Sequence, residues 1–173
     1  MKLLDYVPAP GLLDGRVILV TGGGRGIGRA ASKQLAAHGA TVVILGRKVP
    51  QLESLYDEVV AAGGPEPAIY PLDLLGASAG DYEELAGRIA EQVGRLDGVL
   101  SNAASLSTLG PVQGSDAEEF TRVLHVNLTA AYLLCRACIP VLAQREDASI
   151  VLTGADVGRR PRAYWGAYGV SKY

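Results

Sequence analysis

The chain has 173 residues, 49% of them hydrophobic and 20% charged, with a formal net charge of -2. That is enough apolar material for one sizeable core and suggests one soluble domain, and the weak net charge gives no reason to expect nucleic-acid binding. The N-terminus lacks a basic-then-apolar leader, and no apolar stretch is expected to approach the length of a membrane span, so the default location is the cytoplasm, without a membrane partner.

Residues 1–13 contain Pro8 and Pro10 and read as an arm, followed by a single domain over residues 14–173. Arg16 to Thr21 is a first strand. The stretch Thr21-Gly22-Gly23-Gly24-Arg25-Gly26-Ile27-Gly28 then opens a helical pattern from Arg29 to His38. A glycine turn between a strand and a helix start leaves backbone N–H groups and the positive end of the helix dipole facing outward, which suits the pyrophosphate of a dinucleotide. Gly39 fits a left-handed helix C-cap. Thr41 to Leu45 is a continuous β-branched run, as in a strand covered on both faces.

Gln51 to Ala62 has helical spacing and stops at Gly63, Gly64 and Pro65. Ala68 to Leu72 is a third strand, with Asp73 directly after it. Asp81 is the expected N-cap of a helix running to Val93, and Gly98 to Ser101 is a fourth strand. A capped start at Ser115 to Glu119 begins a long helix through Asn127 to about Ala143, in which Pro140 is expected to loosen the last turns. Ser149 to Thr153 is a fifth strand, and Tyr164 to Tyr173 begins a further helix. Strands alternating with helices at this spacing imply right-handed βαβ units in a doubly wound parallel α/β sheet with helices on both faces.

Cys135 and Cys138 form a C-x-x-C inside an apolar helical pattern, with no second Cys or His pair nearby. Reduced packing thiols are therefore expected, and no metal.

Taken together, these stretches resemble the short-chain dehydrogenase/reductase family, from about Leu12 to the last residue. Thr21, Gly22, Gly26 and Gly28 match its T-G-x-x-x-G-x-G turn, and Asp73 matches its acidic residue at the adenine. Asn102, Ala103 and Ala104 stand where the family has N-A-G. Asn127 falls on its helical Asn, and Tyr168 with Lys172 matches Y-x-x-x-K. The segment from Val157 to Tyr168 is also similar to a bacterial YciK-like branch. The resemblance implies a Rossmann-like fold, a small-molecule carbonyl/alcohol substrate, and homo-oligomers through the long helices. It implies a cofactor set of Thr21, Gly22, Arg25, Gly26, Ile27, Gly28, Arg47, Asp73, Leu74, Asn102, Ala103 and Lys172. Its catalytic set is Tyr168, Lys172 and Asn127. Members resembling this chain continue past the Tyr-Lys helix, so the domain is expected to be incomplete, with C-terminal strands missing and the fifth strand left as a bare apolar edge.

Charge bears on which cofactor is expected. An NAD-selective site usually sets a carboxylate at the end of the second strand, where it holds the ribose 2′-hydroxyl and repels a 2′-phosphate. Here that strand ends in Leu45 and Gly46, with Arg47 next and Arg25 in the glycine turn. Two guanidinium groups favour NADP(H).

Tyr168 and Lys172 at i and i+4 are expected on one helix face, where a nearby ammonium favours the phenolate needed for proton transfer. The resemblance further implies that Lys172 bonds the nicotinamide ribose and that Asn127 holds a water linking it to solvent. The family's third group, a Ser thirteen residues before the Tyr, is replaced by Ala155. A methyl group cannot donate to a developing oxyanion, so a slow enzyme is expected. The alternative reading is a catalytically weak nucleotide-binding or interaction domain, or a non-functional fragment. Arg159, Arg160 and Arg162 read as a solvated basic loop, with an acidic carrier as the rarer alternative. Trp165 and Tyr164 are expected to pack or to line the substrate mouth.

Overall fold

Alternate residues of the inner strands enter two different cores, as a parallel sheet sandwiched between helices requires. In the computed structural model, which describes residues 6–173, the elements run β1 (Val17–Thr21), α1 (Gly26–Ala37), β2 (Thr41–Gly46), α2 (Val49–Ala61), β3 (Ala68–Pro71), α3 (Ala79–Gln92) and β4 (Gly98–Ser101). They continue with a 3₁₀ turn (Val112–Gly114), α4 (Ala117–Leu124), a π turn (His125–Thr129), α5 (Ala130–Leu142), β5 (Ser149–Leu152), α6 (Asp156–Arg159) and α7 (Gly166–Ser171). The five strands are parallel in the order β3-β2-β1-β4-β5. Residues 1–5 of the expected N-terminal arm lie outside the described residues.

On one face, Val20, Val42 and Ile44 pack with Ala36 of α1 and with Leu52, Leu55 and Val59 of α2. On the other, Leu19, Val43, Leu45 and Val99 meet Tyr82, Leu85 and Ile89 of α3 and the stripe Ala130, Leu134, Cys138 and Leu142 of α5. Leu19, Val20, Val42 and Ile44 are fully enclosed. Cys138 belongs to this core, and burial pushes its thiol up to about 12. Cys135, half-buried, is raised in the same direction by desolvation. Neither thiol is activated as a nucleophile or a ligand.

The crossovers end as their glycines dictate. Gly39 and Gly63 take positive φ (+96° and +77°) just after α1 and α2, closing each helix without a Cβ penalty. At the start of α3 the expectation needs correction. The N-cap is Ser78, and Asp81 is the third helical residue, its carboxylate accepting both the Ser78 N–H (2.7 Å) and the Ser78 hydroxyl (2.7 Å). These bonds hold Asp81 below the usual carboxylate range. For α4, Asp116 is the cap and accepts the Glu119 N–H at 2.7 Å.

The expectation about the long helix also changes. Helix α5 continues through Pro140 to Leu142, and the irregular turn comes earlier, at His125–Thr129. The whole segment Ala117–Leu142, 26 residues long, passes for a membrane span by length and composition alone, which reading for unbroken apolar runs does not show, but its stripe Ala130, Leu134, Cys138 and Leu142 packs in the core. Its polar residues, among them Asn127 and Arg136, interrupt those runs.

At the sheet margin, β5 is exposed along its whole length, with Val151 at 55% and Leu152 at 61% exposure. Among the described residues β5 is the outer strand of the sheet, next to β4.

Beneath the sheet, Asp97 ties three strand starts together. Its carboxylate receives the Val17 N–H (2.8 Å) and a bidentate grip from Arg95 (2.8 and 2.6 Å). Its backbone joins Val17 and Ser149. Burial opposes the charge of Asp97, but Arg95 and the Val17 N–H outweigh it and hold the group below the usual carboxylate range. A lowered folded value means that its stabilisation is complete above the unfolded carboxylate range and is lost as pH falls below about 4. Asp97→Asn should therefore lower the unfolding free energy at neutral pH by about 2 kcal/mol and flatten the acid side of the stability profile, both measured by urea titration between acid and neutral pH.

Candidate active site

The strand order reverses between β1 and β4, and a crevice opens at their carboxyl ends, where open α/β sheets bind ligands. Thr21, the last residue of β1 and buried, accepts the N–H groups of Asn102 and Ala103 on its hydroxyl, both at 3.0 Å. The Asn102 side chain also reaches the Thr21 carbonyl at 3.4 Å. These bonds seat the exit of β4 against the glycine turn so tightly that only glycine fits. Gly22 has φ +66°, and a Cβ there would lie 3.0 Å from the Ala103 Cα. A Cβ on Gly28 would collide with the Gly22 carbonyl and lie 2.8 Å from the Asn102 amide nitrogen.

Around this turn lies a cleft of about 540 Å³ lined by Gly22, Arg25, Gly26, Ile27, Arg47, Asp73, Leu74, Asn102 and Ala103, all from the expected cofactor set. Thr21 and Gly28 sit behind this wall and shape it. Lys48, Gln51, Ser105 and Arg122 also line the cleft and were not anticipated. Lys48 was within reach of a sequence argument, being the next cation after Arg47. Arg122 was not, because only the packing of α4 brings it there. Arg47 comes within 3.9 Å of the Asp73 carboxylate, both side chains being more than half exposed. Arg29 braces the turn from behind, donating to the carbonyls of Gly24 (3.4 Å) and Gln51 (3.1 Å) and pairing with Glu58 (2.7 Å).

None of the expected catalytic residues lines the cleft, and Asn127 is bonded to Ser105, which does. Asn127, buried in the π turn, donates to the Ser105 carbonyl and the Ser171 hydroxyl (2.9 Å each) and accepts the Ser105 N–H (2.7 Å). Both of its side-chain N–H groups thus join the β4–α4 loop to α7. Lys172 follows Ser171, the last residue of α7, and its backbone N–H bonds the Gly169 carbonyl at 3.2 Å. Its ammonium donates to the Thr153 carbonyl at 2.8 Å, and burial lowers its pKa from the ordinary lysine value. The Thr153 hydroxyl lies 3.4 Å from the Asn102 side-chain oxygen, which links the ends of β4 and β5. Tyr168 is half-buried on α7, with the Trp165 ring 5.9 Å away at a 52° tilt.

Ala155 caps the unanticipated helix α6 and offers a methyl group. Of the basic loop, Arg162 pairs with Asp156 at 2.8 Å, and Arg159 and Arg160 are exposed.

The sequence profile of the short chain dehydrogenases matches residues 16–173. The chain belongs to that family. Its relatives place it in the YciK-like branch: it is 39% identical over 170 residues to the oxidoreductase YciK of Escherichia coli (strain K12), covering 98% of this chain and 68% of YciK. A short chain dehydrogenase structure from Pseudomonas syringae is 50% identical with a TM-score of 0.95, covering 97% of this chain and 69% of that one. Another, from Shigella flexneri 2a and complexed with NADP, is 38% identical with a TM-score of 0.92, covering 95% of this chain and 69% of that one.

The fit around Gly28 can be measured directly. Gly28→Ala forces overpacking against Gly22 and Asn102 and should cost about 1–3 kcal/mol of stability, read by chemical denaturation against wild type.

Proposed function

We propose that the chain forms the NADP(H) site and the proton-transfer residues of a reductase or dehydrogenase acting on a small carbonyl/alcohol pair. The observation that carries this reading is the cleft itself: a glycine turn in which a Cβ at 22 or 28 would crowd Ala103 or the Gly22 carbonyl, flanked by Arg25, Arg47 and Lys48, with Gly46 rather than a carboxylate ending β2. The NADP found with the Shigella flexneri relative supports the same cofactor here.

In this reading the N-terminal N–H groups of α1 and the glycine turn receive the pyrophosphate. Arg25 and Arg47 hold the 2′-phosphate, Arg47 turning from Asp73 toward it. Asp73 and Leu74 face the adenine, and Asn102 and Ala103 form the opposite wall. The bound dinucleotide supplies or accepts the hydride. Tyr168 exchanges a proton with the substrate oxygen, Lys172 supplies positive charge beside it, and Asn127 holds α7 in register with the cleft through Ser171.

Two measurements test this. NADPH should bind more tightly than NADH in a fluorescence titration. Replacing Arg25 and Arg47 together by Ala should weaken NADPH by about tenfold or more, the loss of a charge-assisted contact, while leaving NADH nearly unchanged. Equal losses for both cofactors would remove the phosphate role.

A second reading, nucleotide binding with little turnover, is favoured by one observation: Ala155 presents no donor where the family has Ser. Restoring it by Ala155→Ser should raise turnover on a carbonyl panel by on the order of 10² to 10³. A variant that binds NADPH normally and gains no turnover would reject the missing-donor explanation.

A further inference from the structure

Among the described residues, Tyr164 is the only non-glycine residue with positive φ, at +73°. An aromatic side chain is a costly occupant of that left-handed region, and such outliers persist where surrounding contacts impose them. Here the contacts are specific. The Trp165 N–H returns to the Arg162 carbonyl at 3.4 Å, closing a four-residue turn. Its third position is the one for which a turn with positive φ there favours Gly or Asn. The Tyr164 carbonyl, swung outward by that conformation, accepts the Gly110 N–H at 3.1 Å. Gly110 belongs to the β4–α4 loop, which is otherwise pinned to the long helix by Ser105 on Asn127 and by Thr108 on Glu119 (3.0 and 3.2 Å). The Tyr164 bond therefore fastens the far half of that loop to the segment leading into α7. The next residue, Trp165, starts α7, its carbonyl accepting the Gly169 N–H at 2.7 Å while its ring leans on Tyr168. The Tyr164 side chain itself is 62% exposed, so its packing does not explain its conformation.

We propose that Tyr164 is a positioning residue for Tyr168: its left-handed backbone is a clasp that holds the β4–α4 loop against α7 and fixes the Trp165–Tyr168 ring pair. The proposal rests on the reading of Tyr168 as the proton-transfer group. Its test needs neither cofactor nor substrate, so its failure is distinct from failure of the NADPH titration.

Trp165 is the single tryptophan of the chain, and its fluorescence reports on the clasp in two ways. Acrylamide quenching measures exposure of the indole. The alkaline fall in emission caused by energy transfer to the Tyr168 phenolate, identified by its absence in Tyr168→Phe, measures contact between the two rings. Tyr164→Val places a β-branched residue where φ is positive and should open the turn, raising the quenching constant at least twofold and shrinking the Tyr168-dependent step. Tyr164→Gly and Tyr164→Asn suit the same backbone and should keep both readouts at wild-type values. The Gly variant should also keep a thermal midpoint equal to or above wild type. The proposal is overturned if the Val variant matches wild type in both readouts, or if the Gly and Asn variants lose the Tyr168-dependent step. Should the Val variant fail to fold, the Gly variant decides alone: a retained step with an undiminished midpoint supports the clasp, and a lost step or a lowered midpoint rejects it.

Discussion

One hydroxyl sets the geometry of the cleft. The Oγ of Thr21 takes two consecutive backbone N–H groups from the exit of β4, so the ends of β1 and β4 are locked together at the point where the sheet changes direction. Two chain exits fixed this close leave no volume for side chains between them, and the glycines at 22 and 28 follow from that restriction. In the reading proposed above, the absence of side chains at these positions is also what lets a phosphate approach the start of α1. Packing and recognition thus have one origin here.

Charge is distributed across the molecule to match. At the amino ends of the strands, Asp97 is satisfied from several sides by Arg95 and the backbone of β1. At the carboxyl ends, the cations of the cleft are weakly committed: Arg47 has a long, solvent-screened approach to Asp73, a kind of pair that contributes little to stability. A firmly paired arginine would have to break that bond to take a phosphate. The lower end of the sheet is built for stability, and the upper end keeps its charges available.

Much of this was legible in the sequence because the signals were local. A β-branched run, a glycine spacing and a positive-φ glycine after a helix each act within a few residues, so β1, α1, β2 and the glycine turn could be placed from sequence. Where two residues compete for one local role, reading fails by small steps. Ser78 and Asp81 both suit a helix start, and their reciprocal bonding, which decides between them, is a matter of three-dimensional geometry. Asn127 was legible as a motif residue, but its partners Ser105 and Ser171 lie 22 and 44 residues away, beyond any periodicity argument. The anchor of Lys172 on the Thr153 carbonyl was hidden for the same reason, since a backbone acceptor leaves no trace in residue type. Helix α6 escaped notice because four residues around a glycine carry no helical period. The clasp at Tyr164 contradicts local preference outright, and a sequence rule would have asked for glycine there.

The π turn at His125–Thr129 lets the long helix hold one residue more than regular α geometry would. Its bonding, with the Ala130 N–H reaching the His125 carbonyl, encloses one residue more than an α turn does. Loss of a single residue inside this segment would let the helix run as regular α with little rotation between its halves, because the π turn takes up its extra residue within nearly the same total rotation. Val123 and the stripe Ala130, Leu134, Cys138 and Leu142 would keep their buried faces, and the change would fall on the widened turn itself, which carries the Asn127 carboxamide to Ser105 and Ser171. A one-residue deletion at that point would therefore act locally, on the link between the β4–α4 loop and α7, and leave the packing of the long helix on the sheet in place.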